Sequence, residues 1–114
     1  MRERFKFDLL DSDDPFEIDD ENRPHLYKHV EGDDGRWIGV GIDDLLDLWS
    51  SIATEFLEAK AVGPADWLMI GMVPGMILVV PLAPSRSGQP TQCRPIGIYS
   101  PSRDLRNTYL KGRR

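Results

Sequence analysis

The chain has 114 residues, which suit one compact domain and leave little room for a second. Its composition, 40% hydrophobic and 29% charged, is that of a globular protein and excludes a disordered tail. The single cysteine excludes a disulfide framework and a multi-thiolate zinc site, and the net charge of −5 argues against a nucleic-acid-binding protein.

The charge is divided unevenly along the chain. Residues 1–85 carry 18 acids and 7 bases, whereas residues 86–114 carry 7 bases and a single acid. Such asymmetry predicts a polyanionic or acidic partner for the C-terminal part, and it leaves RNA open as that partner. The alternative is that the acidic and basic parts pair with each other inside the same molecule.

We expect residues 1–15 to be an acidic extension that contains a strand, and residues 16–114 to be a single domain. The strand is predicted over Arg4–Leu9, where apolar residues alternate with polar ones. The charged start of the chain precedes no continuous apolar segment, so no secretory signal is expected. Together with the single cysteine, this favours a cytoplasmic protein.

Two helices are predicted in the first half of the domain. The first runs from about Asn22 to Val30, with Pro24 in its first turn. The second runs from about residue 42 to residue 61 and ends before Gly63-Pro64, because apolar residues recur there at helical spacing. The side chains of this apolar stripe are Ile42, Leu45, Leu46, Trp49, Ile52, Ala53 and Phe56.

No charged residue occurs between residues 67 and 85, a stretch nominally long enough to span a membrane. The proline and glycine residues within it argue against a transmembrane helix, and no membrane partner is expected. Pro74-Gly75 divides the stretch into two apolar runs, Trp67–Val73 and Met76–Leu82, which predict a buried β-hairpin.

A third strand, Gln92–Tyr99, and a final helix that begins at Ser100-Pro101 complete the predicted elements. The predicted fold class is therefore α+β, with a small antiparallel sheet of three to four strands packed against three helices. An edge strand of the hairpin would be open to homodimer formation.

The first candidate site lies on the first predicted helix, where His25, Lys28 and His29 would share one face. Two imidazoles beside an ammonium could cleave RNA without a metal. One would remove the ribose 2′-OH proton, the other would protonate the leaving oxygen, and the lysine would stabilise the phosphorane. The alternatives are a solvent-facing polar helix surface and a two-histidine zinc site, for which no third ligand stands out.

The second candidate site lies where the third strand passes into the last helix. Free helix N–H groups there favour an anion such as phosphate, and Tyr99 offers a ring for base stacking or a hydroxyl for proton transfer. The predicted phosphate- or RNA-binding residues are Arg94, Ser100, Ser102, Arg103 and Arg106. The alternative is an ordinary strand-to-helix turn with capping serines, and Cys93 is interpreted as a buried small hydrophobe.

At these two sites the chain resembles the BrnT-like toxin family, small ribonucleases of type II toxin–antitoxin pairs with a RelE-like fold. Phe16–His29 resembles the opening segment of the family, and Trp67–Gly71 with Ile77–Val80 resembles its central hairpin. Arg94–Tyr99, followed by a helix that ends near Tyr109, is similar to its closing segment.

The resemblance implies a bacterial, metal-independent endoribonuclease that needs no cofactor. We expect its catalytic residues to be His25, Lys28 and His29 of the first candidate site, together with Tyr99 of the second. Its partners would be RNA and a small antitoxin of the ribbon-helix-helix class.

The chain also departs from the family pattern. Ile18 stands where the family has tryptophan, Tyr99 where an arginine is expected to contact RNA phosphate, and Leu105 where a helix glutamate is expected. Glu31–Gly39 is an insertion, and the strand that usually follows the second helix is not evident. We expect Arg103 to replace the charge lost at Tyr99. The departures support a second hypothesis, a non-catalytic protein-binding module on the same fold with a degenerate active site.

Overall fold

Two antiparallel sheets and two α-helices make up the computed structural model, which describes residues 3–60 and 63–112. The strands are β1 (Lys28–Glu31), β2 (Trp37–Val40), β3 (Glu55–Glu58), β4 (Trp67–Val73), β5 (Met76–Pro84) and β6 (Cys93–Pro95). The helices are α1 (Ile42–Ser50) and α2 (Arg103–Lys111), and 3₁₀ turns cover Phe7–Leu9 and Arg23–Leu26. β1 pairs with β2, whereas the larger sheet has the order β3-β4-β5-β6. The α+β class is confirmed.

The predicted hairpin of β4 and β5 is confirmed and forms the centre of the larger sheet. Its strands turn at Pro74-Gly75, where Gly75 adopts a φ of +85° that favours glycine. Leu78 belongs to the apolar cluster that contains the buried residues of α1, and Val79 belongs to the cluster around Tyr109 of α2. Because both faces of the sheet are covered, the hairpin strands are apolar throughout.

Among the described residues, no helix has the length and apolarity needed to cross a membrane.

The strand predicted over Arg4–Leu9 does not form, and a 3₁₀ turn occupies Phe7–Leu9 instead. The alternation that suggested a strand has a different cause. Phe5 and Phe7 both pack against the core, and the Phe7 ring stacks on Phe56 of β3 with centroids 5.1 Å apart. This segment is therefore held by its side chains and not by membership of a sheet.

The residues that follow this segment cover the β6 edge of the larger sheet. Cys93 N donates to Pro15 O at 2.8 Å, and Glu17 N donates to Cys93 O at 2.7 Å. Phe16 thereby forms a parallel bridge to Cys93. Covering an edge in this way occupies backbone groups that could otherwise pair with another chain.

The helix predicted from Asn22 to Val30 is wrong. A 3₁₀ turn over Arg23–Leu26 is followed closely by β1, and β2 pairs with it at four positions. Pairing with β2 and burial of Val30 outweigh the local helical preference. The segment interpreted as an insertion, Glu31–Gly39, forms the hairpin turn and most of β2.

The second predicted helix is confirmed only over its first half, because α1 ends at Ser50 and β3 follows. Two side chains hold the chain out of the helix here. Thr54 Oγ1 donates to Leu48 O at 2.5 Å, and Ser51 Oγ accepts from Ala53 N at 3.2 Å. Such side-chain bonds compete with the helical ladder. β3 is the strand that was not evident in the sequence after this helix.

The last strand and the last helix are confirmed with shorter bounds. β6 covers three residues of the predicted Gln92–Tyr99, and Tyr99 is held to β5 by an isolated bridge. Helix α2 is capped by Ser102 and not by Ser100, since Ser102 Oγ accepts a hydrogen bond from Leu105 N at 3.2 Å.

Gly71, buried in β4, has no room for a side chain. A Cβ there would lie 2.5 Å from Thr54 Oγ1 and 2.9 Å from Leu48 Cδ2. Gly71→Ala should therefore lower the free energy of unfolding by about 1–3 kcal/mol, the usual cost of overpacking. Urea unfolding followed by tryptophan fluorescence measures the change. Gly39→Ala in β2 is the control, because a Cβ there would meet only His29, at 3.7 Å. Equal destabilisation by both substitutions would contradict this account.

Candidate functional site

A buried arginine joins the segment before β1 to the larger sheet. Arg94 of β6 is only 8% exposed. Its two terminal nitrogens donate to the two carboxylate oxygens of Asp19 at 2.7 and 2.9 Å, and Nη1 also donates to Glu17 Oε1 at 3.2 Å. Asn22 completes the group by donating to Glu17 O at 2.9 Å and to Pro95 O at 3.1 Å. We call these four residues, Glu17, Asp19, Asn22 and Arg94, the Arg94 network.

Hydrogen bonds keep both carboxylates of the network ionised. Glu17 accepts from Ser85 Oγ at 2.5 Å, from Ser87 Oγ at 2.7 Å and from Arg86 N at 2.8 Å. Burial raises the pKa of Glu17, but these hydrogen bonds outweigh it and lower the pKa to about 2. The pKa of Asp19 is also lowered to about 2, chiefly by its hydrogen bond from the guanidinium. The arginine charge is therefore already matched within the protein.

Two other basic residues of the C-terminal part are paired with acids of the N-terminal part. Arg86 forms an ion pair with Glu21, and Arg106 Nη1 lies 2.8 Å from Asp33 Oδ1. Arg103 is exposed at the start of α2. Arg86 and Arg106, together with Arg94, support the interpretation that the acidic and basic parts of the chain pair internally.

The first candidate site is not assembled as expected, because its three residues do not share a helix face. His25 lies in the 3₁₀ turn, whereas Lys28 and His29 are consecutive in β1 and point to opposite sides of the strand. His25 lines a cavity of about 290 Å³ together with Arg86 and Arg94. The structure thus brings His25 close to the second candidate site and separates it from His29.

Lys28 and Tyr99, from different candidate sites, lie in direct contact. Lys28 Nζ is 3.7 Å from the centroid of the Tyr99 ring, a cation–π geometry. Partial burial lowers the pKa of Lys28. The ring itself lies over Gly97, where an added Cβ would be 2.8 Å from the Tyr99 hydroxyl. This contact places one ammonium against a half-exposed phenol.

The remaining predicted residues stand at the start of α2. Ser102 uses its hydroxyl to cap the helix, while Ser100 and Arg103 are exposed. Phosphate or RNA binding by these residues stays a prediction.

One surface was missed in the sequence. The outward side of the β1–β2 hairpin carries Tyr27, His29 and Trp37, which we call the aromatic face. Tyr27 is 54% exposed and Trp37 is 68% exposed. The Tyr27 ring lies against Gly41 and the His29 ring lies against Gly39, as shown by the atoms that a Cβ at either glycine would meet. Alternating residues on either side of an Asp-Asp-Gly turn were the signal that could have found it.

Cys93 lies beside the Arg94 network and is fully buried. Burial raises the pKa of its thiol to about 12, so the sulfur stays protonated and poorly nucleophilic.

In the part of the chain that the structure describes, no group of three or more His, Cys, Asp or Glu residues could hold a metal ion.

Comparison of the chain with protein-family models, with curated proteins and with solved structures finds no match. The resemblance to BrnT-like toxins therefore stays a prediction.

Arg94→Met should destabilise the fold, because it leaves two carboxylates without their buried counterion. We expect a loss of about 2–3 kcal/mol, below the range for a fully buried pair because Asp19 is partly exposed. Arg103→Met is the matched control and should change stability by less than about 0.5 kcal/mol. Chemical unfolding of the two variants measures the difference. Equal stability of both variants would contradict a structural role for Arg94.

Acid should weaken the fold through Glu17 and Asp19. Since the folded state lowers the pKa of both carboxyls to about 2, their contribution is present above their ordinary values of 4.5 and 3.8 and is lost as pH falls towards 2. Asp19→Asn should therefore flatten the stability–pH curve of the wild type between pH 3.8 and about 2. Thermal unfolding across this pH range tests the expectation, and an unaltered curve for Asp19→Asn would contradict it.

Proposed function

We propose that this chain is a non-catalytic protein-binding module in which the Arg94 network is structural and the aromatic face is the contact surface. One observation carries the proposal. Arg86 and Arg94, which line the cavity beside His25, are paired with carboxylates of the same chain, whereas large aromatic side chains are left exposed.

The charge pairing makes RNA a poor ligand for the Arg94 region. A phosphate would have to compete with Asp19 for a guanidinium that is 8% exposed, and Glu17 would repel it at short range. Arg86 is likewise engaged by Glu21. A ribonuclease needs cations that bind the charged transition state at phosphorus more strongly than they bind the carboxylates of the enzyme itself.

The aromatic face has the composition of a protein-contact surface. Tyrosine and tryptophan are enriched where interfaces gain most of their binding energy, because each supplies a large rigid area with a polar edge. Tyr27 and Trp37 stand on one side of a hairpin whose other side carries the buried Val30 and Val40. The Tyr27 ring already lies against the backbone of Gly41 before any partner arrives, which lowers the entropy cost of binding.

The second candidate function is the toxin-like, metal-independent endoribonuclease with a RelE-like fold and a ribbon-helix-helix antitoxin. The contact of Lys28 with Tyr99 favours it, since it joins an ammonium to a hydroxyl that could move a proton. The cavity lined by His25 and Arg94 also favours this function, because a ribose phosphate bound there would meet an imidazole. This function requires the Arg94 ion pairs to open when RNA binds.

Expression in bacteria separates the two functions. We expect normal growth and intact RNA for the wild type, for His29→Ala and for Lys28→Ala, because the arginines beside His25 are held by carboxylates of the same chain. Growth curves and total-RNA electrophoresis measure this. RNA cleavage by the wild type that Lys28→Ala abolishes would overturn the proposal in favour of the ribonuclease.

The binding function needs its own measurement. A tagged chain, its Trp37→Ala variant and its Ile52→Ala variant are compared by quantitative mass spectrometry of co-purifying proteins. Ile52 is 100% exposed and lies outside the aromatic face, so it controls for loss of a surface hydrophobe. We expect a partner that the wild type and Ile52→Ala retain and that Trp37→Ala loses. Identical protein profiles for all three would count against the aromatic face as the contact surface.

A further inference from the structure

We propose that the aromatic face binds an extended, proline-containing segment that carries arginine or lysine. This inference rests on the proposed protein-binding function and adds the chemical class of the partner. It follows from the spacing of the rings, from the glycines beneath them and from the charges at both ends of the face.

The rings form a row along the hairpin. Tyr27, His29 and Glu31 alternate on β1 and the residue before it, and Trp37 lies directly opposite Glu31 in the register. Four residues of strand place Tyr27 and Trp37 roughly 13 Å apart along the hairpin. A polyproline II segment rises 3.1 Å per residue, so about four of its residues span the same distance.

Glycines give the row its flat shape. Tyr27 ring carbons lie 2.8 Å from where a Cβ of Gly41 would be, and His29 Nε2 lies 3.7 Å from the corresponding position at Gly39. Both rings therefore lie against backbone with no side chain between. A flat strip of aromatic rings suits the pyrrolidine rings of a proline-rich segment. Such a segment binds aromatic surfaces with little loss of conformational entropy.

Acidic groups flank the strip at both ends. At one end, Glu31 lies opposite Trp37 in the register of the two strands. At the other end, Asp44 Oδ2 accepts a hydrogen bond from Gly41 N at 2.8 Å, and the exposed Asp43 precedes it. Arg36, the basic residue nearest to Trp37, is paired with Asp34 at 3.4 Å. This pattern attracts arginine or lysine, which also bind well over tyrosine and tryptophan rings, and it repels the phosphates of single-stranded RNA.

The test uses the full chain and a synthetic peptide of about four prolines with an arginine at each end, so that its length matches the row of rings. Isothermal titration calorimetry should detect binding of this peptide by the wild type and by Ile52→Ala, with affinities within about twofold. Trp37→Ala should lower the affinity about tenfold or more, as loss of an aromatic anchor does. Circular dichroism verifies that each variant is folded.

Two matched controls test the charge. Replacing the terminal arginines of the peptide by glutamates should weaken binding to the wild type. Glu31→Gln should weaken binding of the arginine peptide and leave binding of an uncharged polyproline peptide unchanged. If Glu31→Gln lowers both affinities equally, the acidic residues do not select a cationic partner.

Several results would overturn the inference. These are no binding of the proline peptide in the millimolar range, equal binding by Trp37→Ala, tighter binding of an oligouridine, and a Trp37-dependent dimer in light scattering. A co-purifying partner that depends on Trp37, together with no affinity for the peptide, would refute the partner class and leave the protein-binding function intact. If no co-purifying partner depends on Trp37, the protein-binding function of the aromatic face is itself refuted.

Discussion

The ion pair of Arg94 with Asp19 and Glu17 is the constraint on which the arrangement of this protein depends. The segment that contains both carboxylates lies over the edge of β6, where its backbone already bonds to Cys93. The guanidinium adds two parallel hydrogen bonds to Asp19 and thereby fixes the direction in which the chain leaves that edge. That direction leads into the 3₁₀ turn and then into β1, so the position of the aromatic face follows from the ion pair.

The elements that could be predicted from the sequence are those whose pattern admits a single interpretation. The hairpin of β4 and β5 combines two uncharged runs with Pro74-Gly75 between them, and α2 has a serine cap and an apolar stripe. The elements between Asn22 and Glu58 were harder because their patterns fit two states. Residues 42–56 keep helical spacing past Ser50, yet Phe56 serves equally well in β3, where it packs against Phe7. Which state prevails depends on a neighbouring strand far away in sequence, and no local pattern records it.

The candidate site shows the same limit. His25, Lys28 and His29 gather on one face only if the segment is helical, and a change to a strand sends consecutive side chains to opposite sides. The sequence names these residues as candidates, but their geometry depended on the pairing of β1 with β2. The aromatic face was missed for the same reason. Trp37 and Gly39 belonged to a segment interpreted as an insertion. The packing of a ring against a glycine can be predicted only when the strand opposite that ring is known.

The charge of the chain takes on a different meaning once its pairs are known. The basic C-terminal part looked suited to a polyanion, but Arg86, Arg94 and Arg106 each meet a carboxylate from residues 17–33. These pairs join residues 17–33 to the basic C-terminal part of the chain. Where opposite charges neutralise each other inside a fold, the charges left over decide what approaches it. Beside the aromatic face those charges include the exposed carboxylates of Glu31 and Asp43, so this surface is both negative and aromatic. Under the proposed function, Arg86, Arg94 and Arg106 would have no part in selecting a partner, because their charges are matched by carboxylates of the same chain.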